Sequence, residues 1–137
     1  MTKKIFVNLP VQDLLKAKAF YEAIGATNNL QFSDGTAACM VFSESIHVML
    51  LTHAKWATFT KKPISNAHQV NEVILALTCE SRDAVNVTAD AAAKHGGVAN
   101  VNPPQDHGFM FSRSIADPDG HIWEPFWMDT SSMPASS

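Results

Sequence analysis

The chain has 137 residues, 46% of them hydrophobic and 17% charged, a composition typical of one folded globular unit with a sizeable core. A formal net charge of −3, with no basic cluster longer than a lysine pair, argues against nucleic acid as a partner. The sequence contains neither a recognisable signal peptide nor a membrane span, and Cys39 and Cys79 form no CxxC pair, so a reducing cytoplasm is expected.

The first half of the chain predicts a strand, a helix and three further strands. The helix begins at an N-cap, Asp13, and ends at Gly25, and its apolar residues recur on one face. Asp34-Gly35 is a hairpin signal between the second and third strands. The expected strands are residues 5–10, 29–33, 36–42 and 46–51, and the expected buried helix residues are Ala17, Phe20, Tyr21 and Ile24.

A polar connector, residues 53–71, precedes a second run of the same pattern. Residues 72–79 predict a strand, and Ser81 caps a helix that ends at His95-Gly96-Gly97. Residues 98–101, 109–115 and 121–128 are three more predicted strands, and Val85, Ala89 and Ala92 are the apolar face of the helix. The small polar residues from Thr130 onward predict a disordered tail.

This order of elements describes one β-α-β-β-β unit that occurs twice, offset by about seventy residues. It predicts an α+β fold in which two paired β-α-β-β-β modules form a curved mixed sheet around a cavity. Residues 1–129 are expected to be a single domain. Module one covers about residues 4–53, the connector about 54–71 and module two about 72–129, with 130–137 as the tail.

The most informative stretch is Asp117-Pro118-Asp119-Gly120 and the strand after it. Asp at the first position, Pro at the second and Gly at the fourth are typical of a type I turn. The strand then carries one carboxylate, Glu124, in an otherwise apolar run. Because an unpartnered carboxylate is costly to bury, Glu124 indicates a metal, a ligand or an internal hydrogen bond.

With this repeat and this turn, the chain resembles the vicinal oxygen chelate superfamily, which includes glyoxalase I, bleomycin-resistance proteins and extradiol dioxygenases. Within it, the likeness is strongest to a bacterial subgroup of predicted lactoylglutathione lyases. The resemblance implies a homodimer, a small-molecule ligand held in a cavity at or near the subunit interface, and a divalent metal. Besides the turn, the matching stretches are residues 8–14, Phe20-Tyr21, Gly25, and residues 37–41, 48–53 and 106–110.

The resemblance also implies four metal ligands, one on the first and one on the last strand of each module. Counting from the turns matches Leu50 to Glu124, and aligning Leu9 with Leu77 gives Phe6 and Ile74, so that Glu124 is the one retained ligand position. A divalent cation needs several donors in a defined geometry, so this set is not expected to hold one. The cofactor therefore stays unknown.

Strand parity extends the candidate site beyond Glu124. Asn8 shares parity with Phe6, and Glu72 shares parity with Ile74, so both are expected to bind substrate on the cavity side. His47 and His121 have the opposite parity to the matched last-strand positions and are expected to point away.

Two further residues complete the candidate site. Arg113, on a strand expected beside Glu124, either forms a buried ion pair with Glu124 or binds an anionic ligand. His107, at a strand entrance, is the second candidate catalytic group after Glu124. A metal site improvised from Glu72, Glu124 and His107 stays an alternative.

The resemblance leaves three classes of function open. The first is a glyoxalase-like enzyme, a lyase, isomerase or dioxygenase acting on a small molecule with an incomplete metal site. The alternative is a metal-free drug- or antibiotic-binding protein that resembles the bleomycin-resistance proteins. In the third class, the groove receives a peptide or protein partner. The glyoxalase-like enzyme is placed first because the resemblance is to that family. The fold does not decide between the three classes, since it hosts many activities.

Overall fold

The computed structural model describes residues 2–132, whose first module contains five elements and a connector helix. The strands of this module form a four-stranded sheet in the order β1-β4-β3-β2, with β1 parallel to β4. The elements are β1 Ile5–Val11, α1 Leu14–Ala23, β2 Thr27–Asn29, β3 Ala37–Ser43 and β4 Ile46–Thr52, followed by α2 His53–Trp56 in the connector.

The second module forms a separate six-stranded sheet around its last strand. That strand pairs in parallel with the first strand of the module and antiparallel with two short strands. The elements are β5 Ile74–Thr78, α3 Arg82–Lys94, β6 Val98–Ala99, β7 Gln105–Asp106, β8 Met110–Ser112, β9 Ile115–Ala116 and β10 Ile122–Met128. The predicted α+β fold of two β-α-β-β-β modules is confirmed.

Both predicted helix starts are confirmed. The Asp13 carboxylate accepts a hydrogen bond from the Lys16 amide at 3.1 Å, and the Ser81 hydroxyl accepts one from the Ala84 amide at 3.0 Å. These caps satisfy amides that have no partner inside the helix. Gly25 follows the end of α1 with φ of 111°, a positive value that glycine adopts at helix ends more readily than other residues.

The core lies between the helices and one face of each sheet. All the predicted core residues of α1 and α3 are buried. On the strands the odd-numbered residues of β1, β5 and β10 face this core, and the even-numbered ones face away because side chains alternate. We call the sides that face away from the core the outer faces. Their members include Phe6, Asn8, His47 and Met49 on the first sheet, and Ile74, Ala76, Ile122, Glu124 and Phe126 on the second.

Several predicted strands differ from the observed ones in extent, including the strand predicted over residues 72–79, which is β5 Ile74–Thr78. The strand predicted over residues 29–33 was misplaced, because β2 covers Thr27–Asn29. The Asn29 side chain accepts from the Gln31 amide at 3.0 Å and starts a 3-10 turn at Leu30–Phe32. The strand predicted over residues 98–101 ends before Asn100, where φ is 57°. The strand predicted over residues 109–115 is divided into β8 and β9, and between them the Ser114 hydroxyl accepts from the Asn102 amide at 2.7 Å and donates to the Asn102 carbonyl at 3.1 Å.

The last described residues follow β10. Thr130–Ser132 forms a 3-10 turn, and the rest of the predicted disordered tail, residues 133–137, lies outside the described residues. Within residues 2–132, no helix combines the length and the apolar character needed to cross a bilayer.

Candidate functional site

The turn at Asp117-Pro118-Asp119-Gly120 connects β9 to β10, and it is closed from inside. The Gly120 amide donates to the Asp117 carbonyl at 3.0 Å, as a β-turn requires, and the Asp117 carboxylate accepts from the amides of Asp119 and His121, each at 2.9 Å. Asp117 is 2% exposed, and burial raises the pKa of its carboxyl. Among residues 2–132 Asp117 is therefore the most buried carboxylate, while Glu124 is half-buried.

The same turn holds the connector in place. Gly120 has φ of 91°, and a Cβ there would lie 2.7 Å from backbone atoms of Ala67 and His68. The Asn71 side-chain amide donates to the carbonyls of Ala67 and Gly120, both at 3.3 Å. The connector thus lies directly on the β9–β10 turn, and only glycine allows that approach.

A groove of about 330 Å³ opens between the connector and the ends of the strands. We call it the connector groove. It joins the second half of β1, the connector and the first residues of β5 and β10, and it contains both charged and apolar side chains. Its lining is Asn8, Leu9, Pro10, Trp56, Thr60, Lys62, Pro63, Ser65, Ala67, Val70, Asn71, Glu72, Val73, Leu75, His121 and Ile122.

Several polar groups of the connector groove have hydrogen-bonding capacity left. The Asn8 amide nitrogen donates to the Phe6 carbonyl at 3.2 Å, and one ring nitrogen of His121 lies 2.8 Å from the Pro10 carbonyl oxygen. The indole nitrogen of Trp56 is buried and has no hydrogen-bond partner among the described residues. Neither Lys62 nor Glu72 takes part in either ion pair found within residues 2–132.

Asn8 and Glu72 meet in this groove, although by different routes. Asn8 lies on β1 and on the face of Phe6, as its parity predicted. The parity argument for Glu72 was wrong, because β5 begins only at Ile74 and Glu72 belongs to the end of the connector. Glu72 reaches the groove through the path of the connector and not through a strand.

Glu124 lies elsewhere, on the outer face of the second sheet. It pairs in register with Ala76, between Ile122 and Phe126 on the same face. No side-chain hydrogen bond or ion pair to Glu124 is found within residues 2–132. Glu124 is not part of the lining of the connector groove.

The position matched to Glu124 in the first module is Met49, and the expectation of Leu50 was wrong. If Phe6 corresponds to Ile74, the pairs Asn8↔Met49 and Ala76↔Glu124 correspond as well. Leu50 is fully buried on the core side. Counting from the turn failed because two residues separate β3 from β4, whereas five separate β9 from β10.

Both histidines expected to point away lie close to the candidate residues. His47 is on the outer face, stacked on Phe6 with ring centroids 4.3 Å apart, and its Nδ1 is buried without a partner among the described residues. His121 precedes β10 and lines the connector groove. The parity of His47 was counted from Leu50, so it was wrong for the same reason. His121 lies just before β10, so strand parity does not apply to it.

Arg113 does not accompany Glu124, which corrects the expected ion pair. Its guanidinium donates to Asn100 at 3.0 Å, to Asn86 at 3.0 Å and to Asp90 at 3.3 Å. Asn86 and Asp90 belong to α3, so this side chain lies on the helix side of the second sheet. The prediction that Arg113 lies beside β10 was correct, but the predicted face of the sheet for its side chain was wrong.

His107 lies in the exposed loop between β7 and β8, outside the connector groove. The neighbouring Asp106 forms a two-bond ion pair with Arg82, at 3.0 and 2.8 Å, which holds the loop against the start of α3. The Arg82 hydrogen bonds lower the pKa of Asp106 to about 2. This arrangement stabilises a loop and brings no second acid or base to Glu124.

The donors at the family's metal positions do not fit a divalent cation. Phe6 and Ile74 have no donor atom, Met49 offers a thioether, and Glu124 alone offers oxygen. Within residues 2–132 no group of three His, Cys, Asp or Glu residues is placed to hold a metal ion. The improvised set of Glu72, Glu124 and His107 is not brought together. Metal ligation requires several donors at defined distances, and these positions do not provide them.

Sequence reasoning missed the contribution of the connector. Trp56, Lys62 and Asn71 line the groove together with Asn8 and Glu72. In the sequence, Trp56 and Lys62 stand in a polar segment. Such a pattern is equally typical of a solvated loop, so it did not predict a site. Only the packing of the connector on Gly120 turns these residues towards β1 and β5.

The comparisons with known proteins agree with this architecture. A family model, Glyoxalase/Bleomycin resistance protein/Dioxygenase superfamily, matches residues 5–124, while no curated protein matches the chain. A glyoxalase-related enzyme from Fulvimarina pelagi is 17% identical, with TM-score 0.78 over 100% of this chain and 94% of that one. Fosfomycin resistance protein FosX from Mesorhizobium loti is 14% identical, with TM-score 0.68 over 96% of both chains. A bleomycin resistance determinant encoded on transposon Tn5 is 16% identical, with TM-score 0.64 over 93% and 99%.

Proposed function

Since the chain belongs to the Glyoxalase/Bleomycin resistance protein/Dioxygenase superfamily, we propose that it binds a small molecule in the connector groove, without a resident metal. The observation that carries this proposal is the meeting of Asn8 and Glu72 with Lys62 and Trp56 around one groove of about 330 Å³. A groove of this size that mixes an apolar lining with a few polar groups is typical of small-molecule sites.

The relatives support a small molecule as the ligand class. FosX and the Tn5 determinant carry resistance to fosfomycin and bleomycin in their names, and both share this fold. At 14% and 16% identity they share the fold alone, so neither ligand is transferred to this chain. The third class of function, a peptide or protein partner, has no comparable support.

A homodimer forms part of the proposal. The outer faces expose large apolar side chains on the edge strands, with Phe6 50% and Ile74 53% exposed. β1 and β5 are edge strands of their sheets, and each has an unpaired side. A second copy that covers these faces would bury them and would bring Glu124 into an enclosed cavity. Phe6→Lys is expected to shift the protein towards monomer in light-scattering measurements, whereas Leu15→Lys, on the exposed side of α1, is not.

A second candidate function is a glyoxalase-like enzyme, lyase, isomerase or dioxygenase in type, and Glu124 is the observation that favours it. Glu124 is a half-buried carboxylate without a side-chain partner among residues 2–132, at the position that the family uses. A carboxylate of this kind can move a proton. Turnover of any small-molecule substrate that is lost in Glu124→Gln and kept in Thr60→Trp would favour this function.

The binding function is tested with two matched variants of the connector. Thr60 lines the groove and Thr58 does not, and the hydroxyl of each makes one local backbone hydrogen bond. Ligands found by thermal-shift screening are expected to lose binding by about tenfold or more in Thr60→Trp and to be unaffected in Thr58→Trp. Equal binding to both variants would place the ligand elsewhere and would overturn the proposal.

A further inference from the structure

We propose that the connector groove selects a zwitterionic ligand with an apolar body, such as an amino acid or short peptide with a free amino and a free carboxyl group. The inference rests on the proposed function, because it assumes that this groove is the ligand site. It goes beyond that function by naming the charges that the ligand must carry.

The first observation is that the groove contains two opposite charges that are not paired. Lys62 and Glu72 both line it. Neither takes part in an ion pair within residues 2–132, so they lie more than 4.0 Å from each other's charged atoms. A ligand with a single charge would satisfy one of them and leave the other solvated. A ligand with both charges satisfies both, and complementary charges are the basis of specificity.

The second observation assigns the two ends of the ligand. Asn8 and Asn71 use their amide nitrogens on backbone carbonyls, and their side-chain oxygens accept no hydrogen bond from the described residues. Asn71 is the chain neighbour of Glu72, and both line the groove with Asn8, so the groove offers acceptors beside the Glu72 carboxylate. An ammonium group, which only donates, suits these acceptors. The carboxylate of the ligand then faces Lys62.

The third observation concerns the body of the ligand. Val70 and Val73 are 59% and 52% exposed, although they line a groove that also contains Leu75 and Ile122. Trp56 adds an aromatic ring at the same site. Exposed apolar side chains that share a concave surface favour an apolar ligand body that removes them from water. The two charges therefore belong to an amphipathic molecule and not to a simple salt.

The test compares ligands from which one terminal charge at a time has been removed. L-Phenylalanine and the dipeptide L-leucyl-L-phenylalanine are each used in three forms: free, N-acetylated and C-amidated. Binding is followed by NMR through the indole N–H signal of Trp56. The free forms are expected to bind about tenfold or more tightly than either blocked form. Lys62→Gln should remove the advantage over the amidated form, and Glu72→Gln should remove the advantage over the acetylated form.

Two controls and three outcomes complete the experiment. Lys61→Gln and Glu80→Gln remove exposed charges outside the groove and should leave the order of binding unchanged. Equal binding of all three forms would overturn the charge selection while the proposed function stands. Binding by none of them, with screening hits that still depend on Thr60, would also overturn it. Loss of the Thr60 dependence itself would overturn the proposed function.

Discussion

Tyr21 and Asp117 join the two modules through a buried hydrogen bond, in which the phenol donates to the carboxylate across 2.6 Å. The indole of Trp123 donates to the same phenolic oxygen at 3.0 Å. Burial raises the pKa of Tyr21 well above its ordinary value, and the charge of Asp117 adds to that shift. One carboxylate thus closes the turn in front of β10 and also anchors that turn to α1.

Tyr21→Phe is expected to lower the free energy of unfolding by about 1–3 kcal/mol, the range for buried polar groups that lose a partner. Asp117 would lose one of its hydrogen bonds, and Trp123 would lose its acceptor. Urea titration followed by tryptophan fluorescence measures the change. Phe59→Leu, at a 66% exposed position, is the control and should change stability little. Equal stability of Tyr21→Phe and wild type would show that the bond contributes nothing.

The stability contribution of Asp117 is expected to fall as pH rises. Burial raises the pKa of its carboxyl above the ordinary value of 3.8, and this effect outweighs the favourable hydrogen bond from Tyr21. The contribution is therefore fully present below pH 3.8 and is lost as pH rises through the raised pKa. Asp117→Asn should gain stability relative to wild type as pH rises above 3.8, as measured by unfolding at each pH.

Asp106 provides a control of opposite sign for that experiment. Its pKa is lowered to about 2 by the hydrogen bonds from Arg82, so its contribution is present above pH 3.8 and lost as pH falls towards 2. Asp106→Asn should thus differ from wild type least at the acid end. If the stability of the two variants relative to wild type changed with pH in the same direction, the raised pKa of Asp117 would be contradicted.

Gly120→Ala is expected to destabilise the protein by about 2 kcal/mol or more, since a positive φ and a close backbone contact both penalise a side chain. The methyl group would lie 2.7 Å from the connector backbone and would push it away from the turn. Gly35→Ala is the matched control, because a Cβ there meets nothing within 4 Å. Thermal unfolding of both variants measures the difference. Comparable melting temperatures of the two variants would show that the connector can move away from the turn without loss of stability.

The purified protein is expected to hold no stoichiometric Zn²⁺ or Ni²⁺. Phe6, Met49 and Ile74 offer no oxygen or nitrogen donor at the positions where the family places ligands, and a single carboxylate binds such ions weakly. Elemental analysis after extensive dialysis tests this expectation. One tightly held ion per chain that disappears in Glu124→Gln would show that the outer face forms a metal site after all.

Turnover of the glutathione–methylglyoxal adduct is expected to be absent or marginal. Without a Lewis acid near Glu124, the developing enediolate loses a stabilisation of several kcal/mol. The assay is run with and without a chelator, at several protein concentrations. A rate that scales with protein and survives the chelator would reveal a route that does not need the metal.

The sequence predicted the elements whose causes are local. Asp13 and Ser81 cap the helices, Gly25 ends α1, and the turn at Asp117–Gly120 forms because these residue types favour it over neighbouring conformations. Burial of the apolar helix faces followed from their periodicity. The predicted face of Asn8 was confirmed as well, because β1 is regular and parity is reliable within a regular strand, while ligand binding by Asn8 stays a prediction.

Local residue patterns were thus enough to predict the order of the modules, the helix ends and the turn that leads into β10. The face of Leu50, the partners of Arg113 and the groove that Glu72 and Lys62 share with Asn8 followed from the three-dimensional packing. These outcomes depend on loop lengths between strands, on the distant helix α3 and on the connector resting against Gly120. Contacts between residues far apart in the chain set them, and no local pattern of residue types encodes such contacts.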